Sequence, residues 1–302
     1  SAIFPHILPA NTELTAMDNP EDFMLTPYFT VAMPPLMDVM TALLLSFTIG
    51  LGLSYISGNT LREAFNDFQK IITILIEAVI IPLLPLHIFG IFLNMTVSGQ
   101  VMSIITMFLK VIIVIFVLHV LLLLIQFTVA GSISGRNPFR LLKNMLPAYA
   151  TALGTQSSAA TIPVTLAQTV KNGVRETIAI FVVPLCATIH LSGSTMKITA
   201  CAMAIMYMAG EPVTFAGMAG FIMMLGITMV AAPGVPGGAI MAALGLLQSM
   251  LGFNETLQAL MIALYIAMDS FGTACNVTGD GAIAIEVDKI AGKQQTSPDI
   301  TE

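Results

Sequence analysis

Long apolar runs, separated by short polar clusters, organise this chain of 302 residues. The runs are continuous rather than alternating, which predicts helices and not the strands of a barrel. Residues 36–56, 71–95 and 102–130 form the first three. Each is long enough to cross roughly 30 Å of hydrocarbon. Residues 57–70 read as an amphipathic connector with Arg62 and Lys70, 96–100 as a tight turn, and 131–144 as a basic loop with Arg136, Arg140 and Lys143. The second run carries Glu77 and the kinking prolines Pro82 and Pro85; the third is interrupted by Lys110, His119 and Gln126. Residues 1–35, with Glu13, Asp18, Glu21 and Asp22, read as a polar extramembrane segment, and 291–302 as a polar tail.

Past residue 144 the pattern changes. Residues 145–169 are apolar but broken at Thr155-Gln156-Ser157-Ser158, which predicts two half-helices folded into a re-entrant hairpin. A span follows over 178–207, broken near Thr188-Ile189-His190-Leu191-Ser192-Gly193-Ser194. Residues 214–253 repeat the hairpin plan around Pro233-Gly234-Val235-Pro236-Gly237-Gly238, and 257–283 repeat the broken span, with its break at Asn276-Val277-Thr278-Gly279-Asp280-Gly281. Helices opened inside a bilayer free backbone groups that must find partners. Two such units of opposite polarity make an inverted repeat, which places a binding site near the midplane. The predicted fold is therefore an all-α integral membrane protein: residues 36–144 supply scaffold-type helices and 145–290 a transport domain.

Composition agrees. The chain is 56% hydrophobic and only 9% charged, whereas a soluble domain carries about a quarter charged residues. Placement of Lys and Arg supports the hairpins. If each hairpin returns to its own side, Arg62, Lys70, Arg136, Arg140, Lys143, Lys171, Arg175, Lys289 and Lys293 share one face, nine of the 11 basic residues. That face is then cytoplasmic, with the C-terminus inside and the chain in the inner (plasma) membrane. The other two, Lys110 and Lys197, are intramembrane. Cys186, Cys201 and Cys275 have no metal-type spacing and read as small buried residues.

The chain resembles the dicarboxylate/amino acid:cation symporter family, the glutamate-transporter homologues. The resemblance rests on Ser157-Ser158, Thr161-Ile162-Pro163-Val164-Thr165, Ala187-Thr188-Ile189, Gly234-Val235-Pro236-Gly237 and Asn276-Val277-Thr278-Gly279-Asp280. It covers nearly the whole chain. It implies three further spans before residue 1, a homotrimeric scaffold, and a mobile domain that crosses the membrane as an elevator. The function it implies is secondary active symport of an amino acid or related carboxylate, with Na+ or H+ as coupling ion. The expected partners are the small-molecule substrate and the lipid bilayer, with no nucleic acid, no cofactor and no enzymatic activity.

On a helix, Asp269, Thr273, Asn276 and Asp280 are spaced i, i+4, i+7 and i+11 and form one polar stripe. Intramembrane carboxylates each cost about 2.5–3.5 kcal/mol on the insertion scale, so partners are required. They could be protein groups such as Lys197, or a substrate ammonium at Asp269 and a cation at Asp280. The resemblance implies the latter, with Asn276 on the substrate α-carboxylate. It also implies a cation ligand set around Thr188, His190, Ser192, Asn276 and Asp280. Gly272 stands where acid-selective members carry an arginine, and the first tip offers Gln156 and no arginine. A neutral or small polar amino acid is expected; a dicarboxylate or glutamate is the alternative.

His190 and Ser192 replace the Asn and Asp common in the family. Imidazole is a poor ligand for a hard cation, and it titrates near neutral pH. Either a sodium site is lost to proton coupling, or His190 is a neutral hydrogen-bonding residue in a packed break. Lys197 could stand in for a cation near Asp280, snorkel, or pair with Glu77. Ser157 and Ser158 offer hydroxyls and amides at a half-helix N-terminus, where a carboxylate is favoured. In the second tip Val235 and Gly237 are expected to line the substrate site together with Gln156, Ser157, Ser158, Asp269, Gly272, Thr273 and Asn276; the tip's carbonyls could coordinate a cation, and its glycines could let it open as a gate. Gly193 and Gly279 are expected to supply backbone freedom at the breaks. An intramembrane aspartyl protease is disfavoured, because eleven residues on one helix separate the two carboxylates by about 16 Å. A passive channel is the other remote alternative.

Overall fold

A computed structural model describes residues 39–75, 101–232 and 237–292, with scattered positions between 78 and 96. Every regular element among the described residues of α1 to α11 is a helix: α1 Val39–Tyr55, α2 Thr60–Leu75, α3 Val101–Ser134, α4 Pro138–Thr155, α5 Ser158–Lys171, α6 Glu176–Ile189, α7 Ser192–Met208, α8 Phe215–Val230, α9 Gly238–Leu251, α10 Glu255–Ala267 and α11 Asp269–Ile290. The polar segment over 1–35, most of the second predicted span including Glu77, the tip residues 233–236 including Val235, and the tail beyond 292 lie outside the described residues.

Among the described residues two stretches, Phe108–Ser134 and Glu176–Met208, are long and apolar enough to cross a membrane, and the pair Glu255–Ala267 and Asp269–Ile290, bent by 61°, makes a third if it is one span. On α3 one face is buried through Ile115, Leu123, Phe127 and Ala130, while Ile113, Val117, Leu121 and Ile125 are exposed. Apolar residues on both faces suit a helix whose outer solvent is hydrocarbon. Helices α8 and α9, of 16 and 14 residues, are each too short to cross such a layer alone.

The predicted basic loop over 131–144 is mostly helix. Only residues 135–137 leave it: Gly135 turns with φ 71°, and α4 starts at once at Pro138. The start follows from Asn137, whose side chain accepts from the amides of Phe139 and Arg140, and from proline at the first helical position. Arg140 and Lys143 belong to the first turns of a helix rather than to a loop, and Arg136 lies in the three-residue turn before it.

The described chain falls into two compact units. One contains residues 39–75, 101–114, 197–232 and 237–267, the other 115–196 and 268–292. In the first unit α8 packs on α9, and α9 on α1 and α10. Phe221, Leu225, Ile240, Ala243, Leu247, Leu264 and Tyr265 are buried there.

In the second unit α11 packs against α4, α5 and α6. Helices α4 and α5 form an antiparallel hairpin, because Asn172 at the end of α5 donates to the Leu141 carbonyl (3.0 Å) and accepts from Asn144 (2.8 Å) near the start of α4. Helix α11 has no polar outer face: residues 272–282 are all buried. Its Gly, Ala, Cys and Thr side chains let three neighbours approach closely.

One expected break is displaced. Residues 276–281 are helical throughout, and the interruption of the last span falls at Met268. The glycines there serve packing. A Cβ on Gly279 would come within 2.7 Å of the His190 ring and 2.8 Å of the Gln126 amide, and one on Gly281 within 2.7 Å of the Met145 side chain.

Candidate functional site

The span Glu176–Met208 opens at two residues only, His190 and Leu191. His190 is extended (φ −97°, ψ 92°), yet its amide still donates to the Cys186 carbonyl at 2.8 Å. The new helix α7 therefore begins inside the protein with amides that need acceptors. Asn276 of α11 supplies one: its Oδ1 accepts from the amides of Gly193 (2.8 Å) and Ser194 (3.2 Å), and its Nδ2 donates to Ser194 Oγ at 3.0 Å. The cap comes from another helix, across a backbone approach so close that a Cβ on Gly193 would sit 2.7 Å from Cys275 Cβ and 2.9 Å from the Gly272 carbonyl. Gly193, like Gly279, is thus there for close approach rather than backbone freedom. His119 Nε2 lies 3.1 Å from the Gly193 carbonyl, so that nitrogen carries the proton and donates.

Beside this cap, His190 Nδ1 lies 2.8 Å from Asp280 Oδ1, with Asp280 only 1% exposed. Gln126 of α3 closes the other side: its Nε2 is 3.4 Å from His190 Nε2 and donates to Ser192 Oγ at 3.3 Å. With the amide nitrogen toward the ring, this contact suits a neutral imidazole whose Nε2 accepts and whose Nδ1–H donates to the carboxylate; with the amide turned over, it suits an imidazolium. The Gln126 oxygen is buried without a hydrogen-bond partner and lies over Gly279. Sequence reasoning noted Gln126 only as an interruption; a lone amide in an otherwise apolar stretch of α3 was the available signal.

The stripe Asp269, Thr273, Asn276 and Asp280 lies on the one helix α11, with all four side chains buried. Asp269 occupies its first position, where the helix end favours a carboxylate. Gly272 is buried alongside. The structure gathers His190, Ser192, Asn276 and Asp280 around the break. It sets Thr188 apart: that residue is exposed, and its hydroxyl donates to the Leu185 carbonyl at 2.7 Å. Among the described residues no three His, Cys, Asp or Glu side chains form a metal-binding group.

At the hairpin tip, Ser157 caps α5 by accepting from the Ala160 amide at 3.3 Å, with Ser158 as the first helical residue. Gln156 turns the chain with φ 53°, in the left-handed region. Replacing Gln156 by glycine should remove about 1 kcal/mol of strain and raise the thermal unfolding midpoint in detergent. An unchanged or lowered midpoint would show that the tip carries no such strain.

In the other compact unit, Lys197 is fully buried and does not snorkel. Its Nζ lies 3.3 Å from the centre of the Tyr265 ring and donates to the Tyr265 carbonyl at 3.4 Å. Glu77, its other expected partner, lies outside the described residues. Gly237 precedes α9 with φ 73°.

Residues 2–290 match the sodium:dicarboxylate symporter family. Neutral amino acid transporter B(0) of Mus musculus is 29% identical over 146 residues, 48% of this chain and 26% of its own length. Excitatory amino acid transporter 3 of Mus musculus is 33% identical over 171 residues, 55% of this chain and 32% of its own. The serine/threonine transporter SstT of Acinetobacter baumannii (strain AYE) is 27% identical over 253 residues, 81% of this chain and 62% of its own. The chain thus spans less than two thirds of the length of each of these curated relatives. Because the family match runs over nearly all of its residues, this chain belongs to the sodium:dicarboxylate symporter family.

Proposed function

We propose that this chain belongs to a cation-coupled symporter for a neutral or small polar amino acid, in which the His190–Asp280 pair carries a coupling proton. The observation that carries the proposal is the 2.8 Å contact itself. Imidazole occupies the carboxylate that the resemblance assigns to sodium, and a hard cation needs several oxygens. With a neutral ring the pair has net charge −1; one proton taken from water makes it neutral. A buried net charge is costly in hydrocarbon, so protonation favours movement of the loaded unit across the bilayer. Gln126 can serve both states. Its amide donates to the neutral ring, and after a flip its oxygen accepts from the Nε2–H of the imidazolium.

The substrate reading rests on charge. Gly272 offers no side chain, and the sequence has no arginine after Arg175. The chain beyond Arg175 therefore lacks the planar fork that best holds a side-chain carboxylate. Relatives named for neutral amino acids and for serine and threonine support the same reading. The short helices on either side of both tips support re-entrant hairpins, and the resemblance supports an elevator in a homotrimer with the basic face cytoplasmic.

Uptake into proteoliposomes tests this. An inward proton gradient without sodium should drive accumulation of serine or alanine, with glutamate a poor competitor. Asp280→Asn and His190→Asn should reduce proton-driven uptake to background. Uptake driven by sodium alone and indifferent to pH would sink the proton assignment; glutamate outcompeting neutral amino acids would sink the substrate class.

A further inference from the structure

At the foot of the α4–α5 hairpin, lined by neither His190 nor Asp280, lies a cavity of about 430 Å³. Arg136, Arg140 and Lys171 line it together with Asn137 and Asn144, and no carboxylate does. Its walls are braced. Arg136 donates to the carbonyls of Asn172 (2.6 Å) and Gly173 (3.3 Å), and Asn144 donates to Asn172 (2.8 Å). Gly173 has φ +84°, and its missing Cβ makes room for the guanidinium, which would otherwise lie 3.0 Å away. Neither Arg140 nor Lys171 makes an ion pair among the described residues, whereas nearby Arg175 is held by Asp288 at 2.6 Å.

Three cations facing one cavity repel one another. Lys171 at least lies in the last turn of α5, where a helix end favours a cation. Arg140 lies in the first turn of α4, the wrong end for a positive charge. The amides of that turn are already taken by Asn137 at 3.0 and 3.3 Å, so side chains must do the binding. An anion between the three removes the repulsion. A phosphate group suits them best, because it offers several acceptor oxygens to guanidinium forks. The cavity has ample room, given that a water in the liquid takes about 30 Å³.

We propose that this pocket binds a phosphate group, from either an anionic lipid headgroup or free phosphate. Basic pockets at helix ends are where membrane proteins meet anionic headgroups. The inference stands apart from the coupling proposal, since it uses none of the same side chains.

The test compares the wild-type chain with Arg140→Gln/Lys171→Gln and with Lys143→Gln, which removes a charge from the same helix outside the cavity. One arm measures thermal stabilisation in neutral detergent by inorganic phosphate against chloride at equal ionic strength. The other counts phosphatidylglycerol retained from mixed nanodiscs by native mass spectrometry. The double variant should weaken apparent affinity about tenfold or more in at least one arm, while Lys143→Gln stays within about twofold. Loss in the phosphate arm identifies free phosphate; loss confined to the lipid arm identifies the headgroup. If the double variant folds poorly, Lys171→Gln alone, at an exposed residue, takes its place. Equal behaviour of the pocket and control variants in both arms would overturn the proposal.

Discussion

Gly193→Ala is expected to destabilise the protein by about 3 kcal/mol, the upper end for forcing an extra methyl into a packed interior. The added carbon would lie 2.7 Å from Cys275 Cβ and 2.9 Å from the Gly272 carbonyl. Both belong to α11, whose backbone is held by α4, α5 and α6. Neither can rotate away, so α7 and α11 must separate, and the Asn276 cap is lost with them. Gly279→Ala should cost less, about 1–2 kcal/mol, because the obstacles are the ends of the His190 and Gln126 side chains. Gly281→Ala should cost least, since the flexible Met145 thioether can swing aside. Thermal unfolding of the three variants in one detergent checks the order. If Gly193→Ala were no worse than Gly281→Ala, the close approach of α7 to α11 would not be what holds the site.

The helical character was legible because apolar runs of membrane length admit few other folds. The break at His190 was legible too, since Thr188, His190, Ser192 and Ser194 put polar atoms where a span should be apolar. The same logic misplaced the other break. Residues 276–281 are polar and glycine-rich, yet the two most polar side chains there are met by neighbours: Asp280 by His190, and Asn276 by the start of α7. The actual interruption, Met268, lies between apolar and acidic residues and carries no glycine or proline. Periodicity cannot find a break that tertiary packing creates. The α4 start was readable from Asn137-Pro138, but three nearby basic residues made it look like a loop. Gln126 was visible as an oddity, but its meaning required knowing that α3 faces His190 and Ser192.

Asn276→Leu is expected to cost about 4 kcal/mol, because it strands the amides of Gly193 and Ser194 in a buried site. Each unsatisfied group there costs about 1–3 kcal/mol, and leucine adds no acceptor. Ser194→Ala removes the 3.0 Å bond from Asn276 Nδ2 but leaves both α7 amides capped, and should cost about 1 kcal/mol. The comparison matters because the resemblance assigns Asn276 to the substrate carboxylate, whereas here both of its polar atoms serve α7. If the cap is its main work, Asn276→Leu should unfold several degrees earlier than Ser194→Ala with substrate absent. Equal unfolding of the two variants would mean that the α7 amides have another acceptor and that Asn276 is free to bind a ligand. The first outcome makes Asn276 the clamp that keeps His190 beside Asp280, so that a substrate reaching Asn276 must compete with the helix start. Binding would then loosen the same break that the proposed proton occupies, and the two events would be coupled through one side chain.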